Sequence, residues 1–345
     1  MPKILIVAPN WVGDTLLAQP LFMRLRQRLP GAVLHALAPP WTAPVLARMP
    51  EIAEVIEAPF EHGRLQLAER WRMGRRLRAR RYQEAIVLPN SFKSALVPFF
   101  ADIPLRVGYA GESRYGLLNL VHKPDPARHA LMVNRYAQLA ERPGEPLPEQ
   151  PARGSLVVDP ANLIITLSRL GLERRRSNVV FCPGAEFGPA KRWPARHFAE
   201  LARRLALQGH VVWLIGSPND RPIGEEIARL SDGNAINLCG RTDLAGAIDL
   251  LSVSQLVVSN DSGLMHVAAA LDKPVIALYG SSSPDHTPPL SERAHIVKLQ
   301  GVECSPCYRR ECPLGHFRCM NELSPESVLA EIRPILGEPN HARMR

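Results

Sequence analysis

One stretch of the chain constrains its fold more than any other, because an apolar run stops at a polar turn and passes directly into a helical run. Residues 256–259 read Leu-Val-Val-Ser, followed by Asn260, Asp261, Ser262 and Gly263 and then an alanine-rich segment ending at Ala270. This pattern is typical of a buried strand that feeds a helix through a tight turn. The free N–H groups of the first helical turn would then face the carboxyl edge of a sheet, where anions such as a diphosphate bind. The alternative is an ordinary capped helix in an α/β domain.

Composition and length indicate a globular protein with room for two domains. The chain has 345 residues, of which 46% are hydrophobic and 22% are charged, as in ordinary soluble proteins. No apolar run approaches the ~20 residues that a membrane span needs. The amino-terminal segment lacks the long apolar core of a signal peptide and is typical of a first strand. These features predict a cytoplasmic protein.

A net charge of +9 favours a polyanionic partner or surface. The densest basic run is residues 70–81, and Leu67, Trp71, Gly74 and Leu77 are spaced to form one apolar stripe of a helix. This helix, centred near Arg75, is either an ordinary solvated helix or a face directed at a membrane surface or at phosphates. Charge alone does not distinguish the two.

Alternating apolar runs and helical patterns predict an α/β fold with two doubly wound parallel sheets. We expect domains at 1–165 and 166–325, with a proline-rich break in packing at 143–151. A helix is expected from Pro160 to Leu170. A final amphipathic helix, from Pro325 to Leu336, is expected to pack back on the first domain with the carboxyl-terminal segment 326–345. The strands are expected at 4–8, 33–38, 55–58, 85–88, 106–109, 178–182, 211–216, 235–238, 256–259, 275–278 and 295–299.

In the first domain, polar residues follow two of the expected strands. Gly13 and Asp14 come after the first strand, in a segment with neither a G-x-G-x-x-G fingerprint nor a P-loop. Asp14 is either a plain helix cap or a carboxylate that accepts a proton from a substrate hydroxyl. Asn90 and Lys93 follow a later strand and would face the acceptor.

In the second domain, every strand end carries glycine, a cation or an acid. A loop with Gly184 leads to Lys191 and Arg192, whose charges suit a diphosphate. Further candidates for binding the rest of a nucleotide follow the next two strands: Gly216, Asp220, Gly240 and Thr242.

Taken together, the Gly13-Asp14 start, the Lys191-Arg192-Trp193-Pro194 loop, the 240–244 segment and Asn260-Asp261-Ser262-Gly263-x-x-His266 resemble glycosyltransferase family 9. These are the bacterial ADP-heptose:lipopolysaccharide heptosyltransferases, and the resemblance spans nearly the whole chain. It implies a GT-B fold, with two Rossmann-like domains facing each other across a cleft, the acceptor on the first and ADP-heptose on the second.

The resemblance further implies inverting transfer of heptose from ADP-L-glycero-D-manno-heptose to the first heptose of the lipopolysaccharide inner core. Asp14 would be the general base, Lys191 would bind the donor phosphates, and Asp261, Ser262, Gly263 and His266 would line the diphosphate and sugar pocket. Asp220 would bind the ribose. No D-x-D motif occurs, so we expect no catalytic metal. The acceptor would lie at the cytoplasmic face of the inner membrane, where the basic protein would bind peripherally.

Other function classes remain as alternatives. Within the family, the enzyme could add the first heptose or use another ADP-sugar. Outside it, a Rossmann oxidoreductase would need the missing glycine fingerprint, and a nucleic-acid-binding protein would rest on charge alone, so we expect no nucleic-acid partner. A non-catalytic sugar-nucleotide sensor is the third alternative. Oligomeric state is not predicted.

Four of the six cysteines, Cys304, Cys307, Cys312 and Cys319, lie close together in the sequence. Such a cluster could hold a structural zinc or iron, but the last two do not repeat the C-x-x-C spacing, so reduced structural thiols are the alternative. We expect the cluster to lie away from the donor loops.

Overall fold

A computed structural model describes residues 1–61, 63–125, 130–147, 152–173 and 177–337. The chain separates into two compact units, residues 1–157 with 285–287 and residues 158–284 with 288–345. The helix Pro160–Leu170 therefore lies wholly in the second unit, although the expected boundary at residue 165 falls inside it. Asp249 of the second unit explains this, because its carboxylate accepts hydrogen bonds from the Asp159 N–H (3.0 Å) and the Asn162 side chain (2.6 Å). Residues 148–151 of the predicted break lie outside the described residues.

The first unit contains a six-stranded parallel sheet with the order β3-β2-β1-β4-β5-β6. Its strands are β1 (Lys3–Val7), β2 (Val33–Ala38), β3 (Ile52–Glu57), β4 (Glu84–Val87), β5 (Leu105–Tyr109) and β6 (Leu120–His122). Its helices are α1 (Val12–Leu17), α2 (Gln19–Arg28), α3 (Ala43–Leu46), α4 (Leu67–Arg78), α5 (Leu96–Phe100) and α6 (Met132–Ala137), with 3₁₀ turns at Phe92–Ala95 and Gln138–Ala140.

The second unit contains another six-stranded parallel sheet, with the order β12-β11-β10-β7-β8-β9. Its strands are β7 (Asn178–Cys182), β8 (Val211–Leu214), β9 (Ala235–Asn237), β10 (Leu256–Asn260), β11 (Val275–Tyr279) and β12 (Ala294–Lys298). Its helices are α7 (Pro160–Leu170), α8 (Ala195–Leu207), α9 (Arg221–Leu230), α10 (Leu244–Ser252), α11 (Gly263–Ala270), α12 (Arg318–Asn321) and α13 (Pro325–Leu336), with 3₁₀ turns at Pro189–Lys191 and Pro218–Asp220.

The two sheets share one topology, and this topology positions the candidate loops. In each sheet the first strand lies between the second and the fourth, which is the Rossmann order with its switch point between strands one and four. The loops after β1 and β4 therefore meet at the switch point of the first unit, and those after β7 and β10 meet at that of the second. The prediction of two doubly wound parallel sheets is confirmed.

The final helix packs against the core of the second unit, and its packing on the first domain stays a prediction. Val328, Leu329 and Ile332 of α13 belong to the apolar core that also holds Trp193 and Phe198. These three positions share one face of the helix, so α13 buries its apolar stripe against the sheet and helix α8 of its own unit. The segment 338–345 lies outside the described residues.

Helix α4 buries a different stripe from the one we predicted. Gly74 and Leu77 are buried as expected, but Leu67 and Trp71 are each 51% exposed, and the buried face is completed by Arg70 and Met73. Close packing of α4 against α5 determines which face of α4 is buried, since a Cβ on Gly74 would come within 2.5 Å of the Phe100 Cβ. Across the described residues, no helix has the length and apolarity to span a membrane.

Candidate active site

A buried ion pair forms the centre of the second unit's switch point. The Lys191 Nζ lies 2.5 Å from the Asp261 Oδ2, with side chains 17% and 5% exposed. Ser282 donates a hydrogen bond of 2.6 Å to the same oxygen, and the Asp261 N–H bonds the Leu278 carbonyl. Loops following β7, β10 and β11 thus converge on one carboxylate, which holds the lysine in a fixed place.

Asn260 joins the two loops on either side of the switch point. Its side chain, fully buried at the end of β10, accepts a hydrogen bond from the Trp193 N–H (3.0 Å) and donates one to the Pro183 carbonyl (2.7 Å). Both ends of the Lys191 loop are therefore attached to the strand that carries Asp261. Because an unpaired buried amide is costly, this asparagine also fixes the loop's position.

Helix α11 begins at Gly263, directly after the ion pair. Ser262 occupies the N-cap position, but its side chain makes no capping hydrogen bond and instead contacts the Ser259 hydroxyl at 3.3 Å. The positive end of the helix dipole is thus directed at the region beside Lys191, as an anion site requires. The prediction from the sequence, a strand that feeds a helix through Asn-Asp-Ser-Gly, is confirmed.

His266, one turn into α11, is 6% exposed. Burial lowers the pKa of His266 to about 4, with Asp261 acting to raise it and Lys191 acting to lower it. The imidazole is therefore neutral near pH 7 and contributes no positive charge to the site.

A second cluster involves Gly184 and Asp220. A Cβ on Gly184 would lie 2.3 Å from the Asp220 Oδ2, so only glycine fits there. That oxygen also accepts hydrogen bonds from the Ser217 N–H (2.9 Å) and hydroxyl (2.8 Å) as part of a helix capping box. Asp220 thus has a structural function as a cap, and its ribose-binding role stays a prediction.

The remaining predicted residues of this unit occupy neighbouring loops. The Gly240 N–H bonds the Gly216 carbonyl at 2.9 Å, and Gly240 has a φ of +70° that favours glycine. Thr242 precedes Asp243, the N-cap of α10. The Arg192 Nε is buried without a hydrogen-bond partner among the described residues. This nitrogen is therefore not held by a hydrogen bond as the Lys191 ammonium is held by Asp261.

The cysteine-rich loop contacts the donor loops, contrary to our expectation. Cys304, Cys307, Cys312 and Cys319 line one cavity of about 10 Å³ together with Ala190 and Ser281. The Arg310 carbonyl accepts a hydrogen bond from the Ala190 N–H, and the Ser281 carbonyl accepts one from the Tyr308 N–H. Residues 304–319 therefore support both the Lys191 loop and the loop after β11, a long-range contact that sequence spacing does not reveal.

The four thiols are free. Burial raises the pKa of Cys319, and so do the neighbouring thiols. Slight desolvation acts to raise the pKa of Cys312, but hydrogen bonds from backbone N–H groups, of which that of Phe317 is the strongest, lower this pKa overall. Within the described residues, no three or more His, Cys, Asp or Glu side chains form a group suited to a metal ion. The structural zinc or iron thus gains no support from this geometry.

In the first unit, Asp14 lies in the first turn of α1, after Gly13, with its side chain partly exposed. It is not the N-cap, a position that Trp11 occupies. Burial raises the pKa of Tyr136, on helix α6, and the Asp14 charge raises it further. Tyr136 is therefore a neutral phenol within the electrostatic range of Asp14.

A cavity of about 580 Å³ opens at the carboxyl edge of the first unit's sheet. Asn90 and Lys93 line it, as do Asn10, Trp41 and Phe92. Gly13 and Asp14 are not among the described residues that line this cavity, although Asn10 of the same loop is.

Arg114 organises this cavity wall and was missed by sequence reasoning. Its guanidinium is buried and donates to the carbonyls of Pro89 (2.6 Å) and Tyr109 (2.5 Å) and to the Asn90 Oδ1 (3.3 Å). Burial lowers the pKa of Arg114 to about 10. In the sequence it is only one arginine in a polar loop. Sequence reasoning also missed the roles of Asn260 and Ser282, because their partners lie 21 to 77 positions away along the chain.

Comparisons with known proteins show the family of the chain. The family model described as glycosyltransferase family 9 (heptosyltransferase) matches residues 70–318. Lipopolysaccharide heptosyltransferase 2 of Salmonella typhimurium is 45% identical, and the match covers 97% of this chain and 99% of that protein. Its counterpart from Escherichia coli is also 45% identical over 97% of this chain and 98% of that protein.

A solved structure gives the same result. The structure of E. coli ADP-heptose lps heptosyltransferase II matches with a TM-score of 0.86 and 43% identity, over 97% of this chain and 98% of that one. With the family model, relatives that align over nearly their whole length, and two Rossmann-like sheets that carry the expected loops, the chain belongs to glycosyltransferase family 9.

Proposed function

We propose that this heptosyltransferase moves heptose from ADP-L-glycero-D-manno-heptose to the first heptose of the lipopolysaccharide inner core, with inversion at the anomeric carbon. The observation that carries the proposal is the Lys191–Asp261 pair, buried beside the start of helix α11 at the second unit's switch point. The names of the relatives, lipopolysaccharide heptosyltransferase 2, support the choice of donor and acceptor.

The donor half of the proposal depends on fixed positive charge. Lys191 and the N-terminus of α11 would bind the diphosphate, and they stabilise the charge that develops as ADP leaves. Asp261 and Ser282 keep the ammonium oriented before the ligand arrives, so little reorganisation accompanies the reaction. Neutral His266 would contact the sugar or phosphate as a hydrogen-bond partner. In this proposal no metal takes part in the transfer.

The acceptor half depends on Asp14. The acceptor hydroxyl oxygen forms a bond to the anomeric carbon while the bond from that carbon to the diphosphate oxygen breaks, and ADP leaves with the electron pair. Asp14 accepts the hydroxyl proton as general base. Asp14 is partly exposed in the first turn of α1, and Asn10, which precedes that helix, lines the 580 Å³ cavity. This position supports the role.

Asn90 and Lys93 would bind the acceptor in the cavity, and Gly216, Asp220, Gly240 and Thr242 would bind the adenosine of the donor. The acceptor is a lipid-linked glycan, so we place the enzyme in the cytoplasm, at the face of the inner membrane. A structural zinc or iron at the four cysteines is a separate question, which elemental analysis of the purified protein answers.

Mass spectrometry tests the reaction. The enzyme is incubated with ADP-heptose and either a core acceptor that carries one heptose or a core acceptor that carries none, with an Asp14→Asn variant as control. The expected result is addition of one heptose to the first acceptor only. Addition only to the heptose-free acceptor would establish the first-heptose alternative, and ADP-heptose binding without any transfer would leave a nucleotide-sugar sensor.

A further inference from the structure

Helix α4 presents an exposed face that combines apolar and basic side chains. Leu67, Trp71, Arg75 and Arg78 are spaced by four, four and three residues and so lie along one side of the helix. Leu67 and Trp71 are each 51% exposed, and Leu65 just before the helix is 48% exposed. We call these five residues the docking face. Large apolar side chains that stay this exposed in a group are a feature of interaction surfaces.

The charge around the docking face has one sign. Residues 64–81 contain eight arginines and a single acid, Glu69. Among the described residues, four ion pairs involve these arginines: Arg64 with Glu61 at 2.9 Å, Arg72 with Glu69 at 3.4 Å, Arg78 with Asp102 at 2.6 Å and Arg80 with Glu54 at 2.5 Å. Exposed pairs of this kind are weak. Arg75 and Arg76 are exposed and have no carboxylate within salt-bridge distance among the described residues, so their charges remain available to an anionic partner.

The docking face borders the acceptor cavity. Leu65 and Arg70 both line that cavity, and the buried Arg70 guanidinium donates to the Lys93 carbonyl at 3.1 Å and stacks over Phe60 at 4.1 Å. Arg70 therefore attaches helix α4 to the loop that carries Asn90 and Lys93. A surface that binds the docking face is adjacent to the opening into which the acceptor would enter.

We propose that the docking face binds an anionic lipid bilayer, with Leu65, Leu67 and Trp71 entering the interfacial region and the arginines contacting lipid phosphates. Interfacial helices have this composition, with Trp and Leu on one side and cations around them. Nucleic acid would use the charge but would leave two exposed leucines without a function. The purpose of the contact, presenting a lipid-linked acceptor to the cavity, rests on the proposed function, whereas the contact itself does not.

Co-sedimentation with vesicles tests the inference on the full chain without any sugar substrate. Vesicles of phosphatidylcholine with phosphatidylglycerol are compared with vesicles of phosphatidylcholine alone. Each arginine near an anionic surface contributes about fivefold in affinity, so an Arg75→Glu/Arg76→Glu variant is expected to lose tenfold or more. Its matched control is Arg196→Glu/Arg229→Glu, which makes the same change of net charge at exposed positions of the second unit.

A second pair of variants tests the apolar component. Trp71→Ala is expected to weaken vesicle binding severalfold, while Leu207→Ala, at a position 89% exposed on α8, leaves it unchanged. Equal binding to neutral and anionic vesicles, or equal losses in the matched charge-reversal variants, would overturn the proposal. Turnover of a water-soluble acceptor without acyl chains should be the same in the Arg75→Glu/Arg76→Glu variant as in the native enzyme, which separates failure of docking from failure of the transferase proposal.

Discussion

The switch points of the two units share a topology but differ in how their polar groups are held. In the second unit, Lys191 and Ser282 both bond the buried carboxylate of Asp261. In the first unit the corresponding edge is open, with a cavity of about 580 Å³ and a partly exposed Asp14. The difference fits our proposal, in which one sheet edge is preorganised for a small, highly charged group and the other leaves space for a large acceptor. Substitutions at each edge should therefore have different effects.

The largest effect is expected at the open edge. Asp14→Asn removes the proposed base and should lower kcat by about a thousandfold, the middle of the range for general base catalysis. ADP affinity, measured by calorimetry, should not change because Asp14 belongs to the other unit. A fall of less than tenfold in kcat would remove Asp14 from the base role.

At the preorganised edge, Lys191→Ala should weaken ADP binding by about 10- to 100-fold, since it deletes a charged hydrogen bond and leaves the buried Asp261 carboxylate without its cation. Calorimetry measures the loss. Lys273→Ala serves as control, because that ammonium bonds the Ser252 carbonyl in the same unit. Unchanged ADP affinity in Lys191→Ala would contradict the phosphate contact.

His266, at the preorganised edge, should also make the free energy of unfolding depend on pH. The pKa of His266 is lowered to about 4 in the folded protein, against about 6.5 in an unfolded chain. The unfolded state therefore binds more protons between these values, so stability is unaffected above pH 6.5 and falls as the pH drops below it. Between pH 6.5 and pH 5 the free energy of unfolding should decrease by about 1.5 kcal/mol.

A His266→Gln variant provides the comparison for this titration. Denaturant unfolding of both proteins at several pH values should show a steeper acid loss in the native protein. Parallel curves would mean that another group accounts for the loss.

The smallest effect is expected at Gly184, where the second unit leaves no space for a Cβ. Gly184→Ala places a methyl group against the Asp220 carboxylate and should lower the free energy of unfolding by about 1–2 kcal/mol. In an Asp220→Ala background most of that cost should disappear, because the atoms in conflict are gone. An equal cost in both backgrounds would place the strain elsewhere in the loop.

Much of this organisation could be predicted from the sequence because it depends on local pattern. Apolar runs predicted eleven strands within a few residues of their observed ends, and the helices Pro160–Leu170 and Pro325–Leu336 have the predicted bounds. The strand Leu120–His122 was missed because three residues carry too little apolar periodicity to stand out from a loop.

The contacts that set the site could not be predicted, since they join residues far apart in the chain. Asn260 bonds the Trp193 N–H 67 positions away, and nothing near either residue indicates that pairing. For α4, helical spacing predicted an apolar stripe, but the approach of Phe100 to Gly74 rotates the buried face toward Arg70 and Met73. Packing between elements, not propensity, decides such cases.

All six cysteines belong to the second half of the sequence, and four of them line the small cavity that Ala190 also lines. Oxidation or alkylation of these thiols would enlarge side chains in a space of about 10 Å³ and displace the backbone that carries Lys191. Sugar-nucleotide binding should then decline in air and recover with reductant. The first unit contains no cysteine and should not change.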